Sequence, residues 1–512
     1  MKYRIFFFSF LISGLCYSQN NPLEYWPTES WKRSSPEMQG MDSKAISETV
    51  ELALQKKLKI HSLLIIRNGY MVADINFYPY SGKTIHDMAS ATKSITSMLT
   101  GIAIGQGFIK DENVPVSEIF PEYKDDFKDG NLTIGNLLSM RSGLGSDDNA
   151  LKPDWFKEPL LLRMIQSEHW LDYLAALPVT VTPGKEYQYN SCNYHLLSEI
   201  LHRTSGLPTR QFAQQNLFKP LGISNFIWDE DTRGNSHGWG DLKLHPYDMA
   251  KLGYLMMKKG KWEGRQVIPE EWVKKSTSLQ VDLPDKNGPF NIDYGYGWYV
   301  MSGIMSGVYQ ATGRGGQYIT VWPEKNLVIV YTGGGFDAAV LAQALLGSII
   351  SDKPVPENEV ADSALQRMIL KAGQNPVTDP VETAQLNLSG FSGRSWLLED
   401  NPFRFKTLHI GKFNPNTFEL TIESDFFEFD ALPVSFDNSL EITPNGRYHL
   451  PMCATAIWKN QNEIELTVNE ISNINFYTIN LLFDKENLVF RFMERSMMNS
   501  ELVVKGFPEE KP

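Results

Sequence analysis

The chain has 512 residues, 42% of them hydrophobic and 21% charged. That is an ordinary globular balance, which excludes disordered and fibrous classes and leaves room for about two or three domains. The formal net charge of -12 argues against nucleic acid as a partner.

The N-terminus opens Met1-Lys2-Tyr3-Arg4, continues in the apolar run Ile5 to Leu15, and reaches Cys16-Tyr17-Ser18. A basic start, a short apolar stretch and small residues describe a secretory signal peptide over 1–18, cleaved after Ser18, with the periplasm as the expected destination. The run is too short to span a bilayer, so no transmembrane span is expected. Cys16 follows Leu15 rather than a small residue, which favours plain export over lipid anchoring. The mature chain keeps Cys192 and Cys453, far apart in sequence, so no disulfide framework is expected. The nine histidines are scattered with no metal-ligand spacing, so neither metal nor cofactor is inferred.

Ser62 to Arg67 and Tyr70 to Asp74, joined by Asn68-Gly69, read as a β-hairpin. Residues 85–275 are mostly helix and loop, including a helix from Tyr194 that Ser205-Gly206 stops. Strand patterns return at Gly295 to Val300 and in a hairpin, Tyr318–Trp322 with Leu327–Tyr331, and a helix from Ala338 to Ile350 follows. Strands at both ends with helices between them predict an α+β unit over 19–351, an antiparallel sheet flanked by helices with a helical lobe beside it. A linker rich in Pro, Glu, Asp and Asn, with one short helix, is expected over 352–386. Over 387–512 the alternation Phe418/Leu420/Ile422, Ile464/Leu466/Val468, Tyr477/Ile479/Leu481/Phe483 and Leu488/Phe490/Phe492 predicts an all-β sandwich or barrel.

Three elements carry chemistry. Ser90-Ala91-Thr92-Lys93 lies in a helix-compatible stretch from Asp87 to Leu99, so Ser90 and Lys93 share a face. A serine hydroxyl needs a base to act as nucleophile at neutral pH, and a lysine amine with a lowered pKa can serve. The spacing alone is common by chance, and its weight comes from context. The second element runs from Pro183 to Tyr194. There the Tyr189 phenol is a candidate for exchanging a proton with the amine, with loop packing as the other reading. The third is Ala311-Thr312-Gly313-Arg314-Gly315-Gly316-Gln317, whose glycines mark a bulge or a close backbone approach to a ligand. Backbone N–H groups exposed there, with that of Ser90, can stabilise an oxyanion.

Taken in this order, and with Leu132 to Leu144, Asp248 to Tyr254 and Ile268 to Val273, these elements resemble the serine β-lactamase and penicillin-binding-protein-like hydrolases. The likeness covers about Ser35 to Ile350 and is closest to the class C, family VIII esterase and 6-aminohexanoate-dimer hydrolase branch. It implies that Ser90 forms an acyl-enzyme, that Lys93 takes its proton, and that Tyr189 shares the acid and base roles. The family's Tyr-x-Asn element stands here as Tyr189-Asn190-Ser191, with Ser191 in place of the amide that contacts a β-lactam. Its Lys-Thr-Gly element stands as Ala311-Thr312-Gly313, without the cation that pairs with a β-lactam carboxylate. Both departures favour the amide and ester hydrolase branch, and the Arg314 N–H becomes the second oxyanion donor. Ser191, Thr312 and Gly313 are then substrate-side positions. Asp147 and Asp148 are either holders of a substrate amine or solvated loop acids, and His237 and Trp239 are either substrate contacts or loop packing.

The resulting expectation is a secreted serine hydrolase that cleaves an ester or amide of a small molecule or peptide through an acyl-Ser90 intermediate. A D,D-peptidase or weak β-lactamase is the nearest alternative. A catalytically silent penicillin-recognising or sensor protein is the rival of another class. All three elements precede residue 352, so that portion is expected to be active without the β domain.

Overall fold

The computed structural model describes residues 25–127, 132–145, 160–283, 291–375, 391–414, 416–425, 428–436, 440–495 and 501–509. The expected signal peptide, Asp147 and Asp148 lie outside the described residues. No helix among those described is long and apolar enough to cross a membrane.

Strands β1 (Ile60–Arg67) and β2 (Tyr70–Asn76) form the first hairpin. Asn68 and Gly69 both take positive φ, 52° and 84°, which is the turn an Asn-Gly pair favours because its twist matches the strands. Late in the chain come β3 (Asn291–Tyr294), β4 (Tyr299–Ser302), β5 (Tyr309–Gly313), β6 (Gln317–Trp322) and β7 (Leu327–Gly333). They complete a seven-stranded antiparallel sheet in the order β2-β1-β7-β6-β5-β4-β3. The expected strand at Gly295 to Val300 is mostly the turn between β3 and β4. A Cβ at Gly295 would lie 2.2 Å from the Ser276 carbonyl oxygen, so this backbone is pressed onto the helical lobe instead of a sheet partner.

Every residue of β1 is buried, because helices cover both faces of the sheet. Leu64 and Ile66 join the core shared with the helical lobe, while Leu63 and Ile65 join a second core. That second core is covered by α1 (Ser43–Gln55), α5 (Ala339–Gly347) and α6 (Glu359–Ala372). Helix α6 falls in the segment read as linker. Its Leu365, Met368, Ile369 and Ala372 recur at helical spacing and pack into this core, so residues 359–372 join the first domain. In the lobe, α2 (Thr92–Gly105), α3 (Cys192–Ser205) and α4 (Pro246–Met257) contribute to the larger core. Gly206, with φ 73°, caps α3 by donating its N–H to the His202 carbonyl at 2.9 Å.

The C-terminal unit is a closed nine-stranded barrel, Arg394–Leu398, Phe405–Ile410, Thr417–Ser424, Glu428–Ser435, Met452–Asn460, Glu463–Glu470, Phe476–Asp484, Asn487–Glu494 and Glu501–Pro508. Its pairings are antiparallel except between the fourth and fifth strands, and the last strand closes on the first. The alternating residues read from sequence, Phe418 through Phe492, fill its interior.

Candidate active site

Ser90 lies in a single 3₁₀ turn, Ala89–Ala91, that runs straight into α2. Ala89 holds a positive φ of 45°, a region costly for a residue with a Cβ. The Asp87 carboxylate secures it by accepting the Ala89 N–H at 2.9 Å. Asp87 is buried, and desolvation raises its pKa, opposed chiefly by Lys243. This bend leaves Ser90 half-buried while Thr92 to Ala103 are all buried.

Helix α2 anchors itself through hydroxyls as well as apolar side chains. Ser94 Oγ donates to the Gly297 carbonyl at 2.5 Å and Thr96 Oγ1 to the Gly238 carbonyl at 2.7 Å. Lys93 is 2% exposed. Its Nζ donates to Ser90 Oγ at 3.0 Å and to the Trp239 carbonyl at 3.0 Å. The same Nζ lies 4.9 Å from the Tyr189 ring centroid and 6.0 Å from that of Tyr194. The structure therefore gathers Ser90, Lys93 and Tyr189, although Tyr189 is nearly a hundred residues away in the chain. Asn190 fixes the Tyr189 loop, its Nδ2 donating to the Gly145 carbonyl at 3.0 Å and its Oδ1 accepting the Cys192 N–H at 2.9 Å. Ser191 and Cys192 are buried at the start of α3. Cys192 and Cys453 are both buried, and neither is in a disulfide.

The third element arrives on the β5–β6 hairpin. Strand β5 ends at Gly313, and Gly315 and Gly316 turn the chain with φ of 82° and 98°. A Cβ on Gly313 would lie 2.3 Å from the Met88 carbonyl oxygen and 3.1 Å from the Ala91 N, so this strand end abuts the Ser90 turn and only glycine fits. Arg314 follows at the edge of that contact, its side chain directed away to Asn475 Oδ1 at 3.4 Å. Thr312 is half-buried, its hydroxyl accepting from Gln310 Nε2 at 2.9 Å.

Of the other sequence candidates, Trp239 meets the site by its backbone carbonyl, while its side chain is packed. His237 stacks on Trp239 with centroids 4.5 Å apart, and its Nδ1 lies 2.7 Å from Asp241 Oδ2. Sequence reading missed the phenols beside Tyr189: Tyr187, Tyr194, Tyr294 and Tyr299. Burial raises the pKa of each above the ordinary phenol range, so they stay protonated. Their number in the aromatic stretches was the available signal.

Among the described residues, two groups of potential metal ligands also assemble that spacing did not reveal, His195/Glu199/Asp231 and Asp229/His237/Asp241. His195 and Glu199, one helical turn apart, and His237 and Asp241, four residues apart, left a local trace. In the first group Asp231 is already engaged by His195 Nε2 at 3.2 Å and Asn235 Nδ2 at 3.1 Å. In the second, Tyr448 and Arg447 occupy Asp229. A cation in either would compete with these partners.

The family model described as Beta-lactamase matches residues 50–345, more than half of the chain. The chain belongs to the β-lactamase family. It is 24% identical over 271 residues to the D-alanyl-D-alanine-carboxypeptidase/endopeptidase AmpH of Escherichia coli, covering 47% of this chain and 68% of that one. It is 23% identical over 225 residues to the 6-aminohexanoate-dimer hydrolase of Paenarthrobacter ureafaciens, covering 42% and 56%. Among solved structures, a family VIII carboxylesterase superposes with a TM-score of 0.50 at 15% identity, over 62% of this chain and 98% of that one. That likeness speaks for the fold. The chain is thus a β-lactamase-family serine hydrolase whose curated relatives include D-alanyl-D-alanine carboxypeptidases and an amidase.

Proposed function

We propose that this chain is an exported hydrolase that cleaves an ester or amide through an acyl-Ser90 intermediate. The observation that carries the reading is the buried Lys93 amine, 3.0 Å from Ser90 Oγ at the head of α2. In this reading the neutral amine takes the Ser90 proton as Oγ attacks the substrate carbonyl, and Tyr189 shares the return of that proton to the leaving group. The N–H groups of Ser90 and Arg314 hold the oxyanion, since Gly313 brings the β5 end against the Ser90 turn. The basic and apolar start of the chain supports passage to the periplasm, with Ser18 as the last residue removed.

Esters and simple amides are favoured over β-lactams because Ser191 and Ala311 lack the amide and the cation that would grip a β-lactam's polar groups. A second reading, D,D-peptidase, draws on the names of AmpH and of the carboxypeptidases among the relatives. One screen tests both: wild type and Ser90→Ala against p-nitrophenyl esters, short peptides, D-Ala-D-Ala peptides and nitrocefin. Ester turnover that exceeds nitrocefin turnover and vanishes in Ser90→Ala is expected. Preferred cleavage of D-Ala-D-Ala peptides would select the second reading, and nitrocefin as the best substrate would overturn the ranking.

A further inference from the structure

The barrel turns one loop toward the hydrolase domain, the connection 471–475 between strands Glu463–Glu470 and Phe476–Asp484. Ser472, 1% exposed, accepts the Asp87 N–H on its carbonyl at 3.0 Å, and its hydroxyl lies 2.6 Å from Thr84 Oγ1. Asp87 is the residue whose carboxylate holds the Ala89 N–H and hence the bend before Ser90. Two residues farther along the loop, Ile474 presses on the other element. A Cβ at Gly315 would lie 2.9 Å from Ile474 Cβ, and Asn475 Oδ1 accepts from Arg314 Nη2 at 3.4 Å.

A second barrel contact reaches the loop that holds Lys93. The Tyr448 hydroxyl donates to Asp229 Oδ1, Arg447 Nη2 lies 3.5 Å from Asp229 Oδ2, and the Tyr448 ring faces Lys243 Nζ at 5.0 Å. The Asp229 carbonyl accepts the His237 N–H at 2.8 Å, and two residues later the Trp239 carbonyl receives Lys93 Nζ. The Ser90 turn, the Arg314–Gly315 turn and the Lys93 acceptor thus each lean on a barrel residue.

We infer that the barrel is a positioning element of the active site. The 471–475 loop sets the spacing between the Ser90 turn and the β5 end, and Tyr448 sets the Trp239 carbonyl against Lys93. The inference rests on the acyl-Ser90 reading, and it replaces the expectation that residues 19–351 work alone. Displacements of about 1 Å at a catalytic constellation cost up to about 100-fold in rate, so small slippage is enough to be measured.

The test uses the full chain with four variants: Asn475→Ala, Asn475→Asp, Tyr448→Phe, and Glu486→Gln as a control at the opposite end of strand Phe476–Asp484. Readouts are kcat and KM for p-nitrophenyl butyrate, the rate of Ser90 labelling by a fluorophosphonate, and the thermal midpoint. Asn475→Ala and Tyr448→Phe should each lower kcat and labelling by about 10-fold or more with KM and midpoint nearly unchanged. Asn475→Asp, which keeps an acceptor oxygen facing Arg314, should stay near wild type, as should Glu486→Gln. Wild-type kcat in both Asn475→Ala and Tyr448→Phe overturns the inference, as does a loss matched by the control. Ser90→Ala run alongside separates the two failures: if it retains activity, the acyl-serine reading itself is wrong, and the inference falls with it.

Discussion

Replacing Lys93 by methionine isolates the amine, because the two side chains are similar in length and the site is 2% exposed. Two hydrogen bonds vanish, to Ser90 Oγ and to the Trp239 carbonyl, both 3.0 Å in the wild type. The stranded Trp239 carbonyl costs about 1–3 kcal/mol, while methionine keeps the already buried apolar stem and drops the cost of burying the polar amine, on the order of 1–3 kcal/mol. These terms nearly cancel, so the denaturation midpoint should move little. Catalysis has no such compensation. Loss of a positioned base costs about 100- to 10,000-fold, or about 2.7–5.5 kcal/mol of barrier, and should appear in kcat rather than KM because the amine acts as Ser90 attacks. The assay is p-nitrophenyl ester hydrolysis with single-turnover acylation, paired with thermal denaturation. A folded Lys93→Met protein that acylates within a few-fold of wild type would refute the base assignment, whatever becomes of Ser90.

Tyr189→Phe keeps the ring near Lys93 and removes the hydroxyl, and kcat should fall about 100- to 10,000-fold while KM changes far less; rates within a few-fold of wild type would return the whole proton transfer to Lys93. Gly313→Ala puts a methyl 2.3 Å from the Met88 carbonyl oxygen, so the strand end must retreat from the Ser90 turn, and ester turnover should drop at least about 10-fold in a folded protein. Glu470 has its pKa pushed up to about 7 by burial, against hydrogen bonds from Tyr477 and Asn473. A raised carboxyl pKa stabilises the fold fully below the unfolded value near 4.5 and loses that contribution as pH climbs through 7, a swing of about 3 kcal/mol. Denaturation midpoints should therefore decline from pH 5 to pH 8 in wild type and less steeply in Glu470→Gln.

What could be read from sequence follows the range of the interactions. The Asn68-Gly69 hairpin and the alternating barrel strands are local patterns, and the structure has them where the residues point. Barrel and sandwich share the same two-residue period, so closure of the last strand on the first left no mark. A short helix was legible between 352 and 386, but its Pro- and Asp-rich approach read as linker, and the packing of Leu365 and Ala372 against the first domain's sheet left no local mark. In the site, Ser90 and Lys93 lie three residues apart and were legible; the Trp239 carbonyl was not, because a backbone acceptor can sit on any residue type. Trp239 stood out for its indole, and it is the carbonyl that meets Lys93.

The same limit explains why the barrel contributed nothing to the sequence reading of the chemistry. Ser472 works through a carbonyl, Ile474 through its contact with Gly315, and Asn475 through one amide oxygen, none of them a residue type that marks catalysis. Their effect is exerted on Asp87, Gly315 and Arg314, which lie in the segments that carry Ser90 and the β5 end. A bent, strained turn such as Ala89–Ala91 persists only where its surroundings over-determine it. Asp87 supplies that constraint from within the domain, and the Ser472 carbonyl fixes Asp87 from outside it. Evolutionary exchange of the barrel for another domain would thus have to preserve a backbone acceptor at that point, which is a constraint on geometry rather than on sequence.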